Sequence, residues 1–128
     1  MNEQYRALEQ AFAPPQQNVE KVALATRLHR QSLDRADHFQ MEALRNAAWD
    51  VMLSLFIARS EGLDMPFASL CAANRLSRPA AERAVEALAG ATLARWSRTS
   101  EEGGSCVELT ARGAAKIDQF LQRVASSA

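Results

Sequence analysis

One stretch of the chain, residues 65–110, constrains the fold more than any other. Pro66 suits the start of a short helix that runs to Asn74, because the first turn of a helix does not need the N–H that proline lacks. Ser77 then suits the N-cap of a second, longer helix, with Pro79 in its first turn. The stretch therefore begins with two helices that are separated by a tight turn.

Two runs with strand-like alternation follow, at residues 92–98 and 105–110, and a Glu-Glu-Gly-Gly turn joins them. A short helix, a turn, a longer helix and a two-stranded hairpin, in that order, are the plan of a winged helix-turn-helix. The predicted fold class is mainly α with α+β character, a winged helix-turn-helix with a two-stranded wing. Because helix-turn-helix domains place their second helix in the DNA major groove, this helix is the first candidate for a functional surface.

Helices are also predicted on both sides of this domain. Asn18 suits an N-cap, and apolar residues follow it at a spacing of about one turn. Residues 46–58 are apolar on nearly all sides, around Trp49, which predicts a central helix. The predicted division of the chain is a flexible N-terminal arm at residues 1–17, an N-terminal dimerisation helix at 18–40, the winged helix-turn-helix domain at 41–110 and a C-terminal helix at 111–128.

The two terminal helices carry more apolar surface than a small winged core needs to cover. Such an excess is typical of a surface that meets another protein. It predicts a homodimer formed through the N- and C-terminal helices. The residues on which this prediction rests are Val19, Val22, Leu28, Ile117, Phe120, Leu121 and Val124.

Charge is balanced over the whole chain of 128 residues, which has 15 basic and 15 acidic side chains. Overall neutrality lowers the expectation of nucleic-acid binding, but the local distribution decides. Residues 67–98 contain five arginines and two glutamates, a net charge of +3, which suits phosphate binding. The alternative is a solvated helix surface, on which glutamates at helical spacing bridge the arginines: Glu82 and Glu86 with Arg78 and Arg83.

The sequence lacks the motifs of several other classes of protein. No glycine-rich phosphate loop, His-Glu-x-x-His, Gly-x-Ser-x-Gly or Cys-x-x-Cys occurs, so we expect neither an enzyme nor a cofactor. His29 and His38 have no carboxylates at ligand spacing, which argues against a metal site. The longest apolar run, residues 51–58, is shorter than the roughly 20 residues that span a bilayer, and no secretory signal is visible. We therefore expect a cytoplasmic protein in which Cys71 and Cys106 are reduced thiols.

Several segments of the chain together form the pattern of a known family when they are taken in order. They are Trp49-Asp50 ahead of an apolar helix, SLCAANRLS, an amphipathic helix ending in AL, a short strand, a wing and VELT. Over about residues 41–121 this ordered set resembles the multiple-antibiotic-resistance-regulator (MarR-like) winged-helix transcriptional regulators. The resemblance implies a homodimer that binds double-stranded DNA, in which each winged domain reads half of a palindromic site. It also leaves open a small-molecule effector or a protein partner, which no residue here identifies.

The same resemblance implies a recognition helix over residues 77–88 that enters the major groove. Asn74 and Arg75 are expected to approach phosphates from the turn, while Arg95 and Arg98 add phosphate contacts from the wing and help to set the register. The full set of predicted DNA-binding residues is Asn74, Arg75, Ser77, Arg78, Ala81, Arg83, Arg95 and Arg98.

The wing departs from the pattern that it resembles. An Asp-Arg or Arg-Arg pair is typical near the tip, where this chain has Glu102, Gly103 and Gly104. Thr92 replaces the usual glycine before the first wing strand, and Trp96 stands at a commonly basic position. Two hypotheses therefore stand side by side. The protein is a sequence-specific DNA-binding regulator that acts as a dimer, or it is a winged-helix module for protein–protein interaction that has lost specific DNA binding.

Overall fold

The computed structural model describes residues 15–97 and 104–127, and within these ranges it contains five α-helices and one two-stranded sheet. The order of elements agrees with the predicted winged helix-turn-helix. The elements are α1 (Pro15–Phe39), a 3-10 turn (Glu42–Leu44), α2 (Ala47–Ser60), α3 (Phe67–Asn74), α4 (Arg78–Gly90), β1 (Ala94–Ser97), β2 (Cys106–Leu109) and α5 (Ala111–Ser126).

Helix α2 lies at the centre of the fold, as its apolar sequence predicts. It begins after Asn46, whose side chain accepts a hydrogen bond from the backbone N–H of Trp49 at 3.0 Å. Past its first turn α2 is buried on nearly every side, and its neighbours are α1, α3, α4, α5 and β2. A helix without a polar face is stable only in such a position. Gly62 follows its end with a positive φ of 69°, the left-handed conformation common after a helix.

Helix α1 already includes Pro15, the first residue that the structure describes, and so covers the three residues before the predicted start at residue 18. Asn18 lies inside the helix, so its prediction as the N-cap is wrong. The predicted arm at residues 1–17 loses its last three residues to α1, and the remainder lies outside the described residues.

The sheet is an antiparallel pair in which Ala94 lies opposite Leu109 and Ser97 opposite Cys106. Both strands begin later than predicted, and β2 also ends one residue before the predicted end at residue 110. The segment before α3 pairs with the outer edge of β2, because the N–H of Val107 donates to the carbonyl of Met65 at 2.9 Å. The wing is thus tied to the first helix of the helix-turn-helix. Glu101, Glu102 and Gly103 of the predicted turn fall outside the described part of the chain.

The start of α5 closes against the start of the wing. Thr110 caps the helix by accepting from the N–H of Gly113 at 3.0 Å, and its hydroxyl donates to the carbonyl of Thr92 at 2.6 Å. Thr92 has φ of 59°, a left-handed conformation that is strained for a β-branched residue and explains why a glycine is usual there. A Cβ on Gly113 would lie 1.9 Å from the carbonyl oxygen of Leu93, so only glycine fits this junction.

Much of the apolar stripe predicted for dimerisation is used inside the chain. Ile117 and Leu121 of α5 are 1% and 0% exposed. The interface between α5 and α1 also holds the ion pair of Lys21 and Asp118 at 3.1 Å. Among the seven predicted residues only Val19 and Phe120 are exposed, so most of that stripe builds the core of one subunit.

Candidate nucleic-acid interface

Helix α4, the second helix of the helix-turn-helix, has one buried and one exposed face. The hydroxyl of Ser77 caps it by accepting from the N–H of Ala80 at 3.2 Å, as predicted. Its buried residues are Ala81, Ala84, Val85 and Leu88. Its exposed face carries Arg78, Glu82, Arg83 and Glu86. The prediction that Ala81 contacts DNA is wrong, because this residue is 0% exposed and packs in the core.

The turn before α4 is held by a buried amide. Asn74 is 0% exposed, and its Nδ2 donates to the hydroxyl of Ser54 at 3.0 Å and to the carbonyl of Leu70 at 2.9 Å. Its Oδ1 lies 2.7 Å from Nε2 of His29 on α1, which must carry the proton because an amide oxygen only accepts. The predicted phosphate contact by the Asn74 side chain is therefore wrong. Its amide ties the turn to α1 and α2.

A buried arginine that sequence reasoning missed caps the end of α3. Arg45 donates from Nη2 to the carbonyl of Asn74 at 2.6 Å and from Nη1 to the carbonyl of Arg75 at 3.5 Å. Its Nε pairs with Asp50 Oδ2 at 3.0 Å. The Arg45 side chain is 4% exposed and that of Asp50 is fully buried. Carbonyls at a helix end lack partners within the helix, and Arg45 supplies them here.

One sequence feature could have revealed this ion pair. Asp50 is the only charged residue in the otherwise apolar run of residues 46–58. Because a buried carboxylate is rarely tolerated without a partner, such a residue calls for a nearby cation. Within the described residues Asp50 Oδ1 has no hydrogen-bond partner, so Arg45 alone supports the carboxylate.

Two of the arginines predicted to bind phosphate already have acidic partners. Arg75 adopts a left-handed conformation and pairs with Asp37 of α1, and Arg95 Nε pairs with Glu108 Oε1 at 2.8 Å across the wing. Both pairs are well exposed, so each can open at little cost. Arg98 lies outside the described residues. The local charge of +3 is therefore partly cancelled in the folded chain.

The two exposed arginines of α4 differ from these. In the part of the chain that the structure describes, neither Arg78 nor Arg83 forms an ion pair, and the bridges to Glu82 and Glu86 expected for a solvated helix face are not formed. The guanidinium of Arg78 instead lies 4.9 Å from the centre of the Phe67 ring, a cation–π contact. The centre of the exposed face thus presents two cations that have no acidic partner there.

An open cleft separates the beginning of α4 from the wing. Its volume is about 480 Å³. Its lining is Pro66, Phe67, Ala68, Arg78, Glu82, Trp96, Gly104 and Ser105. The rings of Phe67 and Trp96 lie 5.2 Å apart at an angle of 50°, and Trp96 is 40% exposed. The cleft therefore combines one cation with two aromatic rings beside the exposed face of α4.

Other kinds of site find no support in residues 15–97 and 104–127. No group of three or more histidine, cysteine, aspartate or glutamate side chains there is arranged to hold a metal ion. No helix in these ranges has the length and the apolar character that crossing a membrane requires. Cys71 is half-buried and Cys106 buried, and both are free thiols.

No protein-family model and no curated protein matches the chain, but solved structures do. A candidate DNA-binding protein from Ralstonia eutropha is 28% identical with a TM-score of 0.50, over 58% of this chain and 93% of that one. A MarR-family transcriptional regulator from Silicibacter pomeroyi has a TM-score of 0.55 at 20% identity, over 90% and 76% of the two chains. A variant of MarR from E. coli has a TM-score of 0.55 at 18% identity, over 83% and 74%. The chain therefore has the winged-helix fold of the MarR-family transcription regulators.

Proposed function

We propose that this protein is a sequence-specific DNA-binding transcriptional regulator, with α4 as its recognition helix. The observation that carries the proposal is the exposed face of α4, where Arg78 and Arg83 have no acidic partner among the described residues. Arginine reads guanine through two parallel hydrogen bonds in the major groove, and the first residues of a recognition helix are those that reach base edges. Arg78 is the first residue of α4 and Arg83 lies little more than one turn further on.

Phosphate contacts on both flanks of α4 would set its register on the duplex. Ser77 and Arg75 lie at the turn and Arg95 lies in the wing. Arg98, which is outside the described residues, stays a predicted phosphate contact. On binding, Arg75 and Arg95 would exchange an exposed carboxylate for a phosphate. Since phosphate contacts carry no sequence information, these residues would position the protein while Arg78 and Arg83 discriminate.

We further propose that the protein acts as a homodimer in the cytoplasm. The apolar side chains of Val19 and Phe120 remain exposed on the terminal helices, at 67% and 46%, and the Phe120 ring packs edge-on against the half-buried Trp49. Two copies joined there would present two α4 helices to half-sites about 34–36 Å apart on one face of the duplex. Sedimentation of the chain at micromolar concentration tests this, and a monomer would contradict it.

Selection of bound fragments from random duplexes, followed by titration, tests the function itself. The protein should bind the selected duplex at least about 1,000-fold more tightly than a scrambled duplex of equal composition, at physiological salt. Binding to both should weaken with salt, because neutralised phosphates release counterions. Equal affinity for the two duplexes would refute sequence-specific recognition and would favour the protein–protein interaction module.

A further inference from the structure

Trp96 occupies a position that is commonly basic in the wing of the proteins that the sequence resembles. In β1 it lies two residues after the buried Ala94, on the same face of the strand, and opposite Val107 of β2. The face that is buried at Ala94 therefore runs past the edge of the core at Trp96. The Trp96 ring rests on Phe67 and leaves 40% of the residue exposed in the cleft beside α4.

The two walls of this cleft differ in chemistry. Arg78 and Glu82 line it from α4, while Trp96 lines it from the wing, with Phe67 between them. Glu82 would repel a phosphate placed deep in the cleft. An aromatic ring instead attracts apolar surface, which a DNA strand offers on its deoxyribose rings and on the methyl groups of thymine. The cleft therefore suits the apolar side of a nucleotide whose phosphate lies outside it.

We infer that Trp96 is a further DNA-contacting residue, which packs its exposed ring against the apolar surface of a nucleotide next to the base that Arg78 contacts. The inference rests on the proposed function, because the exposed face of α4 continues directly into this cleft through Arg78. In the proteins that the sequence resembles, the position of Trp96 is commonly occupied by a basic residue. Trp96 would let the wing contact DNA by burying apolar surface. The deoxyribose and the thymine methyl share this chemistry, and the experiment separates them.

The two tryptophans of the chain make a direct test feasible. In a Trp49→Phe variant, Trp96 is the only indole, and its fluorescence should shift and become protected from acrylamide when the selected duplex is added. The matched variant Trp96→Phe keeps only Trp49, which packs against Phe120 away from the cleft, and should show little change. An unaltered Trp96 signal at saturating duplex would overturn the inference.

Affinity gives the second arm of the test. Trp96→Ser should weaken binding to the selected duplex about tenfold, the effect of exposing some 50–60 Å² of apolar surface. A duplex with uracil in place of thymine lacks the methyl group. A loss of about fourfold for the wild type, absent in Trp96→Ser, assigns the contact to a methyl, and no loss assigns it to deoxyribose. Thermal unfolding of each variant checks that the fold is intact.

If the wild type selects a duplex while Trp96→Ser binds it equally well, the inference is wrong and the regulator stands. If the wild type selects no duplex, the proposed function fails and the inference fails with it.

Discussion

The two flanks of helix α4 are built in opposite ways. On the turn side, polar groups from α1, α2 and the segment between them hold the turn. Arg45 donates to its backbone carbonyls, while His29 and Ser54 bond the buried side-chain amide of Asn74. On the wing side, an open cleft separates α4 from β1, with Phe67 and Trp96 as its aromatic surface. Hydrogen bonds fix an orientation because their geometry is narrow, whereas apolar contact tolerates adjustment. The turn therefore sets the angle of α4, and the wing side remains free to meet a partner.

The arginines of this surface also fall into two groups, one on the flanks of α4 and one on α4 itself. On the flanks, Arg75 pairs with Asp37 and Arg95 pairs with Glu108. The two arginines of α4 are exposed, and neither forms an ion pair with a described residue. Exposed pairs contribute little to stability, so the flanking cations can exchange partners when a phosphate approaches. Discrimination is thus expected from the centre of the surface, and adjustable phosphate contacts from its edges.

The turn-side network should show the largest effect on stability. Arg45→Met leaves the buried Asp50 carboxylate without a partner and removes the caps of α3, so it should lower the free energy of unfolding by about 3–5 kcal/mol. Arg59→Met, at an exposed arginine near the end of α2, should change it by less than about 0.5 kcal/mol. Chemical denaturation measures both. Similar small losses in the two variants would show that the turn is not held by this ion pair.

Disrupting the junction between the wing and α5 should have the second-largest effect on stability. Gly113→Ala places a methyl group against the Leu93 carbonyl, and we expect a loss of about 2–3 kcal/mol as the wing shifts away from α5. Gly90→Ala is the matched control, because a Cβ there meets nothing within 4 Å. It should raise stability by less than about 1 kcal/mol. If Gly113→Ala leaves the free energy of unfolding unchanged, the junction between the wing and α5 is not as tightly packed as the structure indicates.

Releasing a flanking arginine should have the smallest effect. Glu108→Gln removes the carboxylate that competes with phosphate for Arg95, so binding to all duplexes should tighten alike, by about two- to fivefold at low salt. Glu61→Gln, at an exposed residue after α2, is the control and should change the affinity much less. Titrations of the wild type and both variants at low salt measure the affinities. An unchanged affinity for Glu108→Gln would remove Arg95 from the proposed contact surface.

The sequence predicted those parts of the fold that depend on neighbouring residues. Ser77 as a cap, Gly62 after α2 and the order of helices and strands all follow from local backbone chemistry, and the structure agrees. Asn74 could not be placed in this way, since its partner His29 is 45 residues away. The pairing of Arg75 with Asp37 joins residues that are 38 positions apart, so it could not be predicted from neighbouring residues either.

The face of a helix is also sensitive to small errors. The predicted DNA contact of Ala81 requires this residue to lie on the exposed face of α4, whereas the structure buries Ala81 completely and leaves the neighbouring Ala80 half-buried. One residue corresponds to about 100° of rotation on a helix, so alanine-rich segments such as α4 give a poorly defined inner face. The sequence predicts the exposed position of Arg78 and Arg83 correctly, because charged side chains are rarely buried without partners.

If the exposed face of α4 reads a DNA sequence, replacing Arg83 should weaken binding to one sequence more than to another. Arg83→Gln and the control Arg59→Gln, both at exposed positions, would be titrated against the selected and the scrambled duplex. Arg83→Gln should lose about 1–3 kcal/mol of binding free energy on the selected duplex and much less on the scrambled one. Arg59→Gln should bind both duplexes like the wild type. Equal losses of Arg83→Gln on the two duplexes, or no loss on either, would show that this face of α4 does not read the sequence.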